Sequence, residues 1–250
     1  MKPTMTLDRV LSRFGLASRK VSREAILAGR MKVNGRTVRD PDIWISPESD
    51  KFLLDGQRLK PARKRYLLFY KHKGVITSHG DPAGRDTLYK YLGDENKWVA
   101  PVGRLDKDTS GLLLLTNDTK FADFITSPES GIPKTYMVKT NSLLTDEVIA
   151  QLKAGVEMKR GDRAHPLSVE RREDRGKYTW LDVVLTEGKN REVRRMVEAL
   201  GFTVLKLVRT HIGPLTLEGL QVGKWRELTA GEVADLRRAG STRQKAESCT

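Results

Sequence analysis

The sequence predicts an α+β protein in two parts, a small basic module followed by a larger domain built on a mixed, mostly antiparallel sheet. Helical and strand patterns interleave irregularly over the 250 residues, without the regular strand-helix-strand order of a parallel sheet. Charge also divides the chain, because residues 1–65 contain 16 Lys/Arg and 7 Asp/Glu and so carry +9 of the total net charge of +14. A distinct cationic module therefore precedes the main domain.

Composition limits the classes of protein that this chain can represent. Hydrophobic residues make up 38% and charged residues 31%, as in a globular protein, and no apolar stretch is long enough to span a bilayer. The N-terminus lacks the apolar core of a signal peptide, and the single cysteine, Cys249, allows no internal disulfide or cysteine-based metal site. We therefore expect a cytoplasmic protein. Its positive charge favours a polyanionic partner over an anionic membrane surface.

The N-terminal module is predicted to contain two short helices and a small sheet. Apolar residues at helical spacing define the first helix: Leu7, Val10, Leu11 and Phe14. Gly15 ends that helix, Ser18 is the predicted cap of the second, and Gly29 closes it. An Asn-Gly pair between two alternating runs then predicts a β-hairpin over residues 31–38.

Five basic side chains on these helices are candidates for contacts with phosphates: Arg9, Arg13, Arg19, Lys20 and Arg23. Charged residues at helical spacing usually form a solvated face, but like charges four residues apart repel unless something neutralises them. The pattern from Leu11 to Gly35 also resembles the S4 RNA-binding domain. The resemblance implies an RNA-binding domain over residues 1–60.

In this interpretation residues 61–65 are a basic linker, and residues 66–240 form the larger domain. The strands predicted there are 66–70, 135–139, 178–185 and 202–208, the helices are 145–154 and 190–200, and a strand end runs into a short helix over 116–125. Thr145 is the expected N-cap of its helix. The polar residues 241–250 are predicted to be a disordered tail.

The most informative stretch is Gly103-Arg104-Leu105-Asp106, because four consecutive leucines follow it at 112–115. A buried strand with one carboxylate at its edge has this pattern, whereas an ordinary surface turn would not need the leucines. Calcium is a second alternative, since residues 106–111 match the first positions of an EF-hand loop. Position 12 of that loop would be Asn117, which cannot supply the bidentate carboxylate, and this disfavours calcium.

The same stretch resembles the catalytic motif of the pseudouridine synthases, in particular the branch that modifies bacterial ribosomal RNA with an S4 domain in front. Three further segments resemble later motifs of that family, in the same order: 134–136, 187–196 and 207–209. The resemblance implies that Asp106 is the catalytic residue, that Tyr136 packs against the target base and that Arg194 pairs with the aspartate. It also implies that Leu207 lines the uracil pocket and that Arg104 occupies the gap left by an extruded nucleotide.

Pseudouridine formation breaks a glycosidic bond, turns the uracil and rejoins it through C5, with no redox change. The reaction needs an ionised carboxylate and neither cofactor nor metal, and attack by the carboxylate or proton abstraction would both use it. Arg194 is expected to keep Asp106 ionised. An apolar stripe fixes the inward face of the 190–200 helix, so the basic residues near its start are expected to meet substrate: Lys189, Arg191 and Arg195.

The identity of the RNA substrate is the property that the protein sequence indicates most weakly. The branch often has His-Gln at positions 191 and 192, where this chain has Arg-Glu. The resulting segment Asn-Arg-Glu-Val-Arg-Arg at 190–195 looks more like the enzymes that act on large-subunit ribosomal RNA. We expect ribosomal RNA, or a pre-ribosomal particle, as the partner of a monomer that makes no membrane contact. The alternative is a non-catalytic RNA-binding or ribosome-assembly protein that uses only the S4-like module.

Overall fold

The computed structural model describes residues 4–14, 19–60, 63–96, 98–158 and 161–247, with the backbone alone at 12, 13 and 241–247. The chain divides into two compact units. The first comprises Met1–Arg65, Asp94–Ala100 and Thr116–Thr119, and the second comprises Tyr66–Gly93, Pro101–Leu115 and Lys120–Thr250. Helices and mostly antiparallel strands occur together, which confirms the predicted α+β class.

The first unit consists of two short helices and two small antiparallel sheets. Its elements are β1 (Met5–Thr6), α1 (Leu7–Arg13), α2 (Arg19–Leu27), β2 (Met31–Val33), β3 (Arg36–Val38), β4 (Trp44–Ile45), β5 (Phe52–Leu54) and β6 (Gln57–Arg58). β1 pairs with β4, and the other strands form a sheet in the order β3-β2-β5-β6. Both predicted helices and the hairpin are therefore confirmed. The helix boundary predicted at Gly15 and Ser18 lies outside the described residues.

The hairpin turn and the core of the first unit follow directly from local sequence. Asn34 and Gly35 have positive φ angles of 51° and 85°, which an Asn-Gly pair adopts at little cost. The apolar stripe of α1 packs with Ile26 of α2 and Phe52 of β5. The module thus has a hydrophobic core of its own.

The segment predicted as a basic linker is anchored within the first unit. Asn117 Oδ1 accepts a hydrogen bond of 2.8 Å from the Arg65 N–H, and its Nδ2 donates to the Arg63 carbonyl at 3.0 Å. Thr116 Oγ1 donates to the Arg65 carbonyl at 2.6 Å. These bonds hold Arg63 and Arg65 of the predicted linker in place, and residues 61 and 62 lie outside the described part of the chain.

The second unit is built on a nine-stranded sheet. Its elements are β7 (Tyr66–Lys71), β8 (Ala100–Val102), β9 (Ser110–Thr116), α3 (Thr119–Thr126), β10 (Lys134–Thr140), α4 (Asp146–Ala154), β11 (Val156–Glu157), β12 (Arg163–Ala164), β13 (Ser168–Arg175), β14 (Tyr178–Leu185), α5 (Glu192–Ala199), β15 (Val204–Ile212), β16 (Leu215–Thr216), β17 (Trp225–Glu227) and α6 (Ala230–Glu247). The main strand order is β13-β14-β10-β15-β9-β7-β17, while β16 pairs with β15 and β8 with β9.

A parallel pair lies at the middle of this sheet. β9 runs parallel to β15, with Ser110 opposite Val208 and Gly111 opposite Arg209, whereas β10 pairs antiparallel with both β14 and β15. Gly111 has a φ of 118°, and a Cβ placed on it would lie 2.3 Å from the Arg209 carbonyl oxygen. The close approach of the two backbones therefore requires glycine at this position.

Two hydrophobic clusters hold the helices on the sheet. Residues of α4 and α5 pack with β10, β14 and β15, and residues of α3 and α6 pack with β9 and the end of β15. α4 begins at the predicted cap, where Thr145 Oγ1 accepts from the Val148 N–H. Val193, Met196 and Val197 are buried, which confirms the apolar stripe predicted for α5.

The C-terminal region differs from its prediction. α6 continues to Glu247, through most of the segment expected to be disordered, and residues 248–250 lie outside the described part of the chain. The segment contains Arg, Gln, Lys, Ala and Glu, which are good helix formers, so polarity alone was a poor guide to disorder. Within the described residues, no helix has the length and hydropathy of a membrane span.

Candidate active site

Asp106 lies in the turn that leads into the buried strand β9. The Thr109 N–H donates to the Asp106 carbonyl at 3.0 Å and closes the turn. Leu112 to Leu115, which follow, are almost completely buried. Thr77 Oγ1 also donates to the carbonyl of Leu105 at 2.8 Å. The leucine run therefore fixes the strand, and the strand fixes the position of the carboxylate at its edge.

Lys71 supports this turn from the interior. Its side chain is fully buried at the end of β7, and Nζ donates to the carbonyls of Asp106 at 3.0 Å and Thr109 at 2.8 Å. Burial lowers the pKa of Lys71 to about 8, although the charges of Asp106 and Asp108 oppose the shift. The burial of Lys71 was not predictable from the sequence, because a lysine after an apolar run usually marks the exposed end of a strand.

A cavity of about 620 Å³ opens beside the Asp106 turn. Six residues named from sequence line it: Arg104, Asp106, Tyr136, Lys189, Arg191 and Leu207. Tyr136 is largely buried on β10, and Leu207 is buried on β15. The fold thus brings together side chains that are up to about one hundred residues apart in sequence. Among them Arg104 is exposed.

Arg194 does not make the direct ion pair expected from sequence. It is 7% exposed, and its two terminal nitrogens donate to the carbonyls of Val204 and Asp108, each at 3.0 Å. Within the described residues, the Asp106 carboxylate makes no salt bridge. Burial lowers the pKa of Arg194, with Arg191 adding to the shift and the charges of Asp108 and Asp106 opposing it. Arg194 therefore braces the turn through its backbone and remains electrostatically coupled to Asp106.

Three further charged residues that line the cavity are buried: Lys134, Glu192 and Arg209. Burial lowers the pKa of Lys134 to about 8, with Arg209 adding to the shift and Glu192 opposing it. Arg209 Nε donates to the Leu112 carbonyl at 2.7 Å. All three belong to segments that resemble family motifs, but the sequence did not show that their side chains enter the same cavity.

The basic residues near α5 are partly engaged by acids. Lys189 pairs with Glu187 at 3.1 Å, and Arg195 pairs with Asp162 at 2.6 Å. Arg191 is exposed and lies 3.8 Å from Glu198. Lys189 and Arg191 line the cavity, whereas Arg195 is not among its lining residues. The three residues grouped by sequence therefore occupy different positions.

The cationic face predicted on the first unit is partly neutralised. Arg19 pairs at 2.7 Å with the buried Asp8, and Arg23 makes two hydrogen bonds to Asp42. Arg9 and Lys20 are exposed, and the side chain of Arg13 lies outside the described residues. Burial alone would raise the pKa of Asp8, but hydrogen bonds from Thr6 and Arg19 outweigh it and lower the pKa.

Comparison with known families agrees with this architecture. The family model described as "RNA pseudouridylate synthase" matches residues 65–199, and the S4 domain model matches residues 5–46. The chain belongs to the RNA pseudouridylate synthase family. The match to the catalytic domain covers more than half of the chain, so the alternative of a non-catalytic S4 protein is not favoured.

Relatives of this pseudouridine synthase cover nearly its whole length. An uncharacterised RNA pseudouridine synthase of Aquifex aeolicus (strain VF5) is 39% identical over 93% of this chain and 94% of its own length. Ribosomal large subunit pseudouridine synthase B of Bacillus subtilis (strain 168) is 38% identical over 92% of this chain and 95% of its own. A crystal structure of a pseudouridylate synthase superimposes with a TM-score of 0.68 at 28% identity, covering 93% of this chain and 99% of the other.

Proposed function

We propose that this enzyme converts a uridine of large-subunit ribosomal RNA to pseudouridine, with Asp106 as its catalytic carboxylate. The observation that carries the proposal is the position of Asp106 in the wall of the cavity that Tyr136 and Leu207 also line. The choice of large-subunit RNA rests on relatives named ribosomal large subunit pseudouridine synthase B. The RNA is either free or part of a pre-ribosomal particle in the cytoplasm, and the enzyme acts as a monomer.

The reaction assigns a specific task to the carboxylate. The C1′–N1 bond breaks, a C1′–C5 bond forms, the proton on C5 leaves and N1 gains a proton. An ionised Asp106 can add to the substrate or remove a proton from it, and both routes release the hydrogen on C5 to water. Lys71 and Arg194 interact electrostatically with the charge of Asp106.

The remaining residues hold a base that has left its stack. Extrusion of a nucleotide costs a few kcal/mol, which stacking and apolar contacts in the pocket must offset. Tyr136 offers an aromatic face and Leu207 an apolar wall. In this proposal the exposed Arg104 enters the gap in the RNA, while the exposed Arg9 and Lys20 contact phosphates.

Asp106→Asn tests the catalytic assignment because it preserves shape and removes the charge. We expect release of tritium from ribosomal RNA containing 5-tritiated uridine to fall to background, while RNA binding survives. Asp108→Asn is the matched control, since that side chain is exposed two residues further on and should leave turnover close to that of the wild type. Turnover by Asp106→Asn at the wild-type rate would exclude the assignment.

The substrate class requires a separate measurement. Pseudouridines should be mapped in ribosomal RNA from cells with and without this protein. We expect at least one large-subunit site to lose its modification when the protein is absent and to regain it with the wild-type gene but not with Asp106→Asn. Loss confined to small-subunit RNA would contradict the proposed substrate.

A further inference from the structure

Glu192 is a buried acid among the residues that line the cavity, and one oxygen of its carboxylate lacks a hydrogen-bond donor in the described part of the chain. The residue is 3% exposed. Oε2 accepts a hydrogen bond of 3.0 Å from the Lys189 N–H, whereas no donor among the described residues reaches Oε1. A buried acceptor without a donor is unfavourable, and a ligand that supplies a donor would satisfy it.

The charged groups that line the cavity with Glu192 include one further acid, Glu187, and two cations, Lys134 and Arg209. Glu187 lies within hydrogen-bonding reach, and burial together with this second acid raises the pKa of Glu192, although the Lys189 N–H opposes the shift. Lys134 Nζ donates to two carbonyls at 3.2 Å and has a third N–H available. Arg209 Nη2 is buried and, within the described part of the chain, has no acceptor. Three charged residues that line the cavity thus keep hydrogen-bonding capacity among the described residues: Glu192 as an acceptor, and Lys134 and Arg209 as donors.

This set is complementary to uracil. The edge of uracil presents O2, N3–H and O4, which are acceptor, donor and acceptor, whereas cytosine presents an acceptor at N3 and a donor at N4. A carboxylate oxygen accepts from N3–H, and the two cations donate to the carbonyl oxygens. The same groups would meet cytosine with two acceptors facing each other at N3.

The symmetry of the uracil ring gives the acceptor a second role. The base must turn so that C5 replaces N1 opposite C1′. A half turn about the axis through N3 and C6 exchanges N1 with C5 and O2 with O4, and it leaves N3–H in place. A hydrogen bond to N3–H is therefore compatible with both orientations, and donors beside it meet a carbonyl oxygen in each.

Building on the function proposed above, we propose that Glu192 accepts a hydrogen bond from uracil N3–H before and after the base turns. Glu192 thereby acts as the pivot of the detached base and as its uracil-specific contact. Lys134 and Arg209 donate to O2 and O4, which exchange places during the turn. The detached uracil is thus held while its bond to the sugar is absent.

Glu192→Met tests the pivot because methionine fills a similar volume without an acceptor. We expect kcat for tritium release to fall by at least about 30-fold while RNA affinity stays within about threefold, since most contacts to RNA are to its backbone. Glu192→Gln retains one oxygen, which must serve either the Lys189 N–H or the base, so its kcat should lie between those of the wild type and Glu192→Met. Glu198→Gln, exposed on the same helix, is the matched control.

Two readouts separate the pivot from a structural role. The unfolding temperature of Glu192→Met should equal or exceed that of the wild type, because the unpaired buried acceptor is gone. In competition experiments the wild type should prefer RNA with the target uridine over RNA with cytidine at that position, and Glu192→Met should lose this preference.

The proposal is overturned if Glu192→Met has the wild-type kcat and preference for uridine. It is equally overturned if the variant loses activity together with thermal stability and RNA binding, since Glu192 would then be structural. Failure of the proposed function is distinguishable, because the wild-type enzyme itself would then release no tritium from ribosomal RNA.

Discussion

Lys71 shows how a single buried charge can shape this site. Its ammonium group is enclosed beneath the Asp106 turn, where it donates to the backbone carbonyls of Asp106 and Thr109. It also places a titratable positive charge near the carboxylate. The consequence is a link between the protonation of an interior lysine and the stability of the folded enzyme.

The lowered pKa of Lys71 predicts a specific dependence of stability on pH. In the unfolded chain the lysine keeps its proton up to about pH 10.4, whereas in the folded protein it loses the proton near pH 8. Between these values the unfolded state binds more protons, so raising the pH favours folding. The free energy of unfolding of the wild type, relative to Lys71→Met, should therefore rise between pH 8 and 10.4, by at most about 3 kcal/mol.

Urea unfolding at pH 7.5 and 10 measures this difference. Lys120→Met, at an exposed position of the same unit, serves as the control and should show no comparable change relative to the wild type. A difference between wild type and Lys71→Met that stays constant with pH would mean that the buried lysine keeps its proton.

Residue identities were predictable where a motif named them, but their contacts were not. Asp106, Tyr136 and Leu207 line one cavity as expected, although their catalytic roles remain proposals. Arg194 contacts the backbone of the turn instead of the carboxylate, because its position depends on the strand that follows α5. Lys71 carries no local signal, since burial of a lysine is decided by tertiary packing.

At the scale of elements, the parallel contact between β9 and β15 is the most constrained feature. Gly111 faces the backbone of Arg209, and no side chain fits between them. The same strand carries the leucine run and begins just after the Asp106 turn. The geometry of the candidate site is therefore sensitive to a single methyl group on the backbone of β9.

Gly111→Ala is expected to destabilise the protein by at least about 2 kcal/mol, because the new Cβ would overlap backbone atoms that cannot move independently. Thermal and urea unfolding give the measurement. Gly80→Ala is the matched control, since a Cβ at Gly80 meets no atom within 4 Å and should change stability by less than about 1 kcal/mol. Equal stability of the two variants would contradict the close approach of the strands.

Most elements were predictable because their signals are local. The alternation in 178–185, the apolar stripe of α5 and the Thr145 cap all correspond to observed elements. The pairing of strands was not predictable, since β9 and β15 carry no sequence code for one another. The continuation of α6 beyond residue 240 was not predicted, because the polarity of this segment favours disorder whereas its residue types favour a helix.

At the scale of the whole molecule, fewer basic side chains are available to phosphates than the sequence alone suggests. In the first unit Arg19, Arg23 and Arg30 pair with acids, so their charges are partly balanced within the fold. Arg9 and Lys20 are exposed and, within the described residues, form no ion pair. The number of phosphates that this module neutralises should therefore be lower than a count of basic residues implies.

Arg9→Ala/Lys20→Ala should flatten the salt dependence of RNA binding. Each phosphate contact contributes roughly one unit to the slope of log affinity against log salt, so we expect the slope to fall by about two. The slope is measured by filter binding or fluorescence anisotropy between about 50 and about 300 mM salt. Arg30→Ala/Asp55→Ala removes a matched pair without changing net charge and should leave it unaltered. An unchanged slope in the first variant would remove this face from the RNA interface.

The division of the chain was only partly visible in the sequence. A cationic N-terminal module was recognisable from charge and periodicity, and the S4 model matches it over residues 5–46. The inclusion of Asp94–Ala100 and Thr116–Thr119 in the same unit was not recognisable. Such segments join a unit through tertiary contacts, which local patterns do not report.

The parallel pairing of β9 with β15 also bears on the synthesis of the enzyme. About one hundred residues separate the two strands, and a ribosome adds roughly 5–20 residues each second. The loop bearing Asp106 thus emerges several seconds before the strand that completes its surroundings. A nascent chain therefore cannot modify RNA until β15 has also been synthesised.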